Sequence, residues 1–183
     1  MQYRSYFHLF SGMAMLELGN LASALAPFNV SAVSVGLGAN SQESGLVVTL
    51  ELFFAAISSL YFGTSQYKGR NLGLIGSLMV MICYYLCSVA TDVNQITIIK
   101  AFSGLGCGML IASGHSILAS SQDPNRTYAV FTLFSSIMAA LLIYISSSWI
   151  EDGGHQSYFF NFIYIYLALT LFFFLSQQTG HKY

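Results

Sequence analysis

The sequence predicts an all-α polytopic membrane protein, built as a bundle of six transmembrane helices. Three observations carry that expectation. Only 7% of the 183 residues are charged while 55% are hydrophobic, whereas a water-soluble domain carries roughly 25% charged residues. Six long apolar runs alternate with short polar breaks, and the basic residues gather in every second break. Lipid, not water, is the solvent such a chain fits.

The runs cover about 8–36, 45–63, 72–90, 96–119, 127–149 and 157–176, read as one transmembrane domain spanning 1–183. Each is long enough for a spanning helix, which needs about 20 apolar residues. Bare backbone is too costly in hydrocarbon, and the period-two alternation of a membrane barrel strand is absent, so each run is expected to be helical. The first run exceeds the bilayer thickness and is expected to tilt, to bend near Pro27, or to emerge at its outer end. It is also too long for a signal-peptide core and lacks a small-residue cleavage pattern, so no cleavable leader is expected.

Charge placement tests this division independently. With the amino terminus inside, Arg4, Lys68, Arg70, Arg126 and Lys182 all fall on the cytoplasmic side. Glu43, Asp92, Glu151 and Asp152 fall outside, and Asp123 is the one acid inside. Basic residues set orientation, so both termini of a multi-pass protein in the cell inner membrane are expected in the cytoplasm. The net charge of −1 argues against a nucleic-acid partner. Cys83, Cys87 and Cys107 sit in apolar runs without further ligands nearby and read as small buried hydrophobes, with no metal site or other cofactor expected.

Three charges remain inside the hydrocarbon: Glu17, Glu51 and Lys100. An ionisable group at membrane depth costs at least a few kcal/mol, which makes each a functional candidate. Glu17 shares a helical face with Asn20 and Ala24. Burial disfavours the charged carboxylate, so Glu17 is a candidate to take up and release a proton. Glu51 lies about two turns into its run, a second candidate or an interfacial residue. Lys100 opens a face that continues through Gly104, Gly108, Ile111 and His115. It is open to pairing with Glu17 or with Glu51, or to snorkelling outward. His115 lies about 22 Å further along the helix and reads as a packed or interfacial histidine. Ser113-Gly114-His115-Ser116 lacks an activating base on another helix, so no enzyme is expected. Asn29-Val30-Ser31 and Asn125-Arg126-Thr127 match the glycosylation pattern, one at membrane depth and one inside, and read as chance.

Small residues recur at Gly12 and Gly19, at Gly73 and Gly76, and at Gly104, Gly106 and Gly108. They suit close helix approach where no hydrophobic drive exists.

Two stretches resemble the amino-terminal six-helix half of the major facilitator superfamily of secondary transporters. Gly63-Thr64-Ser65-Gln66-Tyr67-Lys68-Gly69-Arg70 is similar to the family's cytoplasmic gating loop, with Gly63, Lys68, Gly69 and Arg70 in the matching roles. The family's acidic latch residue is absent, and Tyr67 stands near its place. Lys100, Gly104 and Gly106 resemble the family's fourth-helix pattern, with lysine for arginine. Softer likenesses are Ala26-Pro27-Phe28-Asn29, the spacing from Gly45 to Gly63, and Asp123-Pro124-Asn125-Arg126. The resemblance implies a pathway between two six-helix bundles, lined here by helices one, two, four and five and faced by Glu17 and Lys100. It implies half of a secondary active transporter for a small solute, coupled to a proton or ion gradient. A second half is then expected as another copy or a separate chain, unless the chain is a truncated, inactive product. The fifth run lacks the Gly-Pro motif of many exporters, which reads against drug/proton antiport. A non-transporting membrane assembly subunit is the alternative, in which intramembrane charges only fix helix register.

Overall fold

In the computed structural model, which describes residues 2–65 and 69–178, with side chains over 9–65, 69 and 71–172, every regular element is an α-helix. The elements are α1 (Gln2–Ala24), α2 (Ala26–Leu37), α3 (Ser41–Thr64), α4 (Arg70–Val89), α5 (Val93–Ala119) and α6 (Pro124–Gln178).

The first crossing is broken. α1 and α2 meet at 54° across Leu25, with Pro27 in the first turn of α2. Proline there cannot continue the α1 ladder, having no N–H to offer, but it fits the start of a new helix. A break at this depth leaves carbonyls without their helical donors. The side-chain amide of Asn29 donates to the Ala22 carbonyl across it, at 3.5 Å.

Helix boundaries on one side of the bundle are written in short polar signals. α2 stops at Gly38, whose φ of 65° is left-handed. α3 starts with a reciprocal cap: the Asn40 side chain accepts from the N–H groups of Gln42 and Glu43, each at 2.9 Å, and the Asn40 N–H donates to Glu43 at 3.0 Å. α5 starts on Asp92, which accepts from the Asn94 N–H at 3.0 Å.

α6 is two helices joined at a break. Its 55 residues would stretch about 80 Å if straight, far more than a bilayer core. The helix breaks at Gly153 and Gly154, and Gly154 takes φ 59°. Phe134 in the arm before the break and Phe172 in the arm after it line one cavity with Phe10 of α1, so the arms run back alongside each other. With the broken α1–α2 pair counted as one, the described residues hold five stretches long and apolar enough to cross a membrane, the last of them divided by its glycine break, in an all-α polytopic membrane bundle.

α5 is the central helix, packed against α1, α3 and α4, while α6 closes over α1, α2 and α4. On the α6 side the core is aromatic: Tyr84, Tyr158, Phe159, Phe162 and Tyr166 are buried with ring centroids 4.9–6.0 Å apart. Outside, large apolar side chains point away from the bundle, among them Leu60, Leu133 and Tyr144, the last 83% exposed. An apolar exterior of this extent is a lipid-facing one.

Candidate functional site

A charged cluster stands in the middle of the bundle. α3 supplies Glu51, and α5 supplies Lys100 and, one turn on, Ser103. Both Glu51 oxygens lie 3.0 Å from the Lys100 ammonium, and the Ser103 hydroxyl donates to Glu51 Oε1 at 2.9 Å. The third partner of the ammonium is the side-chain amide oxygen, Oδ1, of Asn29 on α2, at 3.5 Å. Two rings close the cage: the ammonium sits 4.2 Å from the centre of Tyr84 on α4 and 4.8 Å from that of Phe159 on α6. Glu51 and Lys100 are both 0% exposed. Five of the six helices thus converge on one ion pair.

Glycine makes this geometry possible. A Cβ at Gly104 would collide with the carbonyl oxygen of Glu51, and one at Gly108 with that of Ala55. Bare backbone at these two positions lets α5 lie directly on α3, which brings the Lys100 and Glu51 side chains within reach of each other. The Ser58 hydroxyl on α3 donates to the Leu105 carbonyl at 2.7 Å along the same seam. Gly106 faces away from that seam, against Gly76 of α4. The fourth-helix glycines therefore serve two packing contacts on opposite sides of α5.

Of the two carboxylates open to Lys100, the structure selects Glu51 and not Glu17. Lys100 is enclosed among five helices and does not open onto a pathway face, and Glu51 does not reach the interface. Glu17 stands apart on α1. Its side chain is fully buried, and among the described residues neither oxygen has a partner in good hydrogen-bond geometry. The Ser135 side chain of α6 lies beside it as its polar neighbour. Asn20, one turn on, is half-buried, and Ala24 is exposed. One turn before Glu17, Met13 and Ala14 line an apolar cavity of about 400 Å³ with Phe10, Leu133, Phe134 and Phe172. A buried carboxyl with no charged partner among the described residues and an apolar cavity beside it is a different environment from the satisfied pair in the centre.

The remaining candidates lie elsewhere. Gly63 is exposed near the end of α3, Gly69 takes φ 99° ahead of α4, and Arg70 is the first residue of α4. Lys68, with Gln66 and Tyr67, lies outside the described residues. His115 is exposed and shares a hydrogen bond with the Tyr128 hydroxyl at 3.0 Å, while the Ser113 hydroxyl is buried without a hydrogen-bond partner among the described residues. The three cysteines are free and buried.

Sequence reasoning missed Asn29, Ser103, Tyr84 and Phe159. Ser103 was findable, one turn from Lys100 on a face already singled out, and so was Asn29, an amide in an apolar run beside a proline. The rings carry no local signal in a chain with 12 tyrosines and 15 phenylalanines.

No family model matches the chain, and no solved structure matches it. Curated relatives do. The chain is 29% identical over 163 residues to the multidrug resistance protein MdtG of Salmonella arizonae, covering 84% of this chain and 40% of that protein. The MdtG of Citrobacter koseri is 28% identical over the same coverage. The multidrug export protein EmrB of Haemophilus influenzae is 23% identical over 155 residues, 82% of this chain and 30% of that protein. The chain therefore spans well under half the length of these relatives.

Proposed function

We propose that this chain is one six-helix half of a secondary active transporter of the major facilitator kind, moving a small solute across the membrane, coupled to a proton or ion gradient. The observation that carries the reading is the Glu17 carboxyl, fully buried, with no partner in good hydrogen-bond geometry among the described residues, and one turn from an apolar cavity of about 400 Å³. A carboxyl so placed gains from any event that brings it a proton, a cation or water. Glu17 is the proton-responsive group in this reading, with Asn20 on its open flank.

Similarity to proteins named for multidrug resistance and export, over more than four-fifths of the chain, supports an export direction, despite the missing Gly-Pro motif in the fifth crossing. The central pair takes a different role from the one the resemblance implies. Lys100 and Glu51 neutralise each other and hold the helices in register, and neither contacts the solute. The second half, as another copy or a separate chain, packs against this one, with both termini and the Gly63–Arg70 loop on the cytoplasmic side.

A second reading has one specific observation in its favour. Two of the three intramembrane charges are consumed by each other in a sealed interior, as an assembly subunit without transport would need. The two readings part on Glu17. In vesicles loaded with a pH gradient, Glu17→Gln removes pH-dependent uptake if the chain transports. Uptake that keeps its pH dependence in that variant removes the proposed role.

A further inference from the structure

The cavity between α1 and the two arms of α6 is a groove with a cation at its head. Its volume is about 400 Å³, and only apolar side chains line it. Val130, Leu133, Phe134 and Ile137 form its long wall. At about 100° per residue these four share one face of α6. Arg126, exposed and one turn before Val130, stands on the same face. Across the groove, Met13 and Ala14 of α1 are buried at its bottom, and Phe10 and Phe172 stand at its rims, 50% and 48% exposed. Leu133 and Ile137 are likewise exposed, so the groove opens sideways, where the bilayer lies.

We propose that this groove is a lipid site: it holds one acyl chain of a phospholipid whose anionic head group pairs with Arg126. Length is the first argument. From Arg126 to Ile137 the helix rises about 16 Å, and half of a bilayer's hydrocarbon core is about 15 Å. A chain that starts at Arg126 therefore follows the groove to the middle of the membrane. The lining is the second argument. Apolar cavities do not hold water, and an empty one forfeits the contacts of its walls. The occupant is then apolar, and acyl chains surround the protein at this depth. Charge is the third. Arg126 lies in the first turn of α6, at the level where head groups meet a spanning helix. A guanidinium binds two phosphate oxygens at once, and a basic residue at the membrane surface draws anionic lipid. Asp123, the nearest acid in the chain, serves the helix start instead, its Oδ1 accepting from the Arg126 backbone N–H at 3.1 Å. The lipid site draws only on the groove and the cation, and it stands apart from the transport reading.

Brominated lipids quench tryptophan on contact, and the chain has a single tryptophan, Trp149. Trp149→Phe combined with Phe134→Trp moves the fluorophore into the groove. The reporter protein is placed in vesicles of phosphatidylcholine and phosphatidylglycerol, with one lipid brominated and then the other. Quenching is expected to show phosphatidylglycerol bound about fivefold more tightly, the weight of one basic residue near an anionic surface. Arg126→Lys is expected to keep that preference, and Arg126→Gln to make the two lipids equal. Equal affinity in the reporter protein, or a preference that survives Arg126→Gln, overturns the proposal. So does the absence of quenching by either lipid, which would mean that protein covers the groove. Should Phe134→Trp fail to fold, native mass spectrometry decides on the wild-type protein offered both lipids in equal amount. Retained phosphatidylglycerol that is lost in Arg126→Gln supports the site, and equal retention of the two lipids overturns it.

Discussion

Removing the Lys100 ammonium while keeping its length, as in Lys100→Met, isolates the central ion pair. Methionine is unbranched and fits between the Tyr84 and Phe159 rings, so the loss is one of charge more than of packing. Glu51 Oε1 keeps its bond from Ser103, but no hydrogen bond to Oε2 other than that from the ammonium appears among the described residues. With both side chains at 0% exposure, water cannot take the place of the lost partner. Breaking a buried pair from one side costs about 3–5 kcal/mol, which is two to three and a half orders of magnitude in the folding equilibrium at about 1.4 kcal/mol per decade. Glu51→Gln leaves the opposite orphan, an ammonium with Asn29 at 3.5 Å and two ring faces. Replacing both at once leaves no buried charge and is expected to restore most of the stability. The protein supplies its own assay: Cys83, Cys87 and Cys107 are free and buried, so a thiol-reactive dye reports thermal unfolding in detergent. The single variants are expected to unfold at markedly lower temperature and the double variant close to wild type. A double-mutant cycle additive to within about 0.5 kcal/mol would mean that the two charges do not act as a pair, and the argument for a sealed structural centre fails.

Two further perturbations test the packing and the orientation. Gly104→Ala puts a methyl group against the Glu51 carbonyl oxygen and is expected to cost about 1–3 kcal/mol. Gly45→Ala, on the same helix as Glu51 but with open space around it, is expected to be neutral or to stabilise by up to about 1 kcal/mol. Equal losses in the same dye assay would show that the α3–α5 seam is not tight. For orientation, Gln122→Cys, just before α6, and Gln156→Cys, just after the Gly153–Gly154 break, place thiols at exposed positions near opposite ends of α6's first arm. A membrane-impermeant maleimide is expected to label position 156 in intact cells, and position 122 only after the cells are opened.

The solvent of this protein and its helical character follow from the sequence alone. With 7% charged residues, the apolar runs have only lipid to face, and a backbone in lipid bonds to itself. Helix ends are equally local: Asn40 with Glu43, and Asp92, cap their helices with atoms two and three residues away. Pro27 marks the break in the first crossing for the same reason. The sequence also marks Glu17, Glu51 and Lys100 as costly, because burial of charge is expensive wherever it happens.

Which of these charges meet is a different kind of fact. Spacing along one helix says nothing about which helix lies beside it, and Glu17 and Glu51 are alike as acids in apolar runs. Tertiary packing separates them. Bare glycine at 104 and 108 seats α5 on α3, and that contact gives Lys100 to Glu51 and not to Glu17. The same holds for His155, an ordinary loop histidine until Gly36, Gly154 and the Ala90 carbonyl close around it. Local rules fix what each segment is, since lipid gives the backbone no choice. The neighbours of a buried charge depend on how closely two helices approach, and only the folded bundle sets that distance.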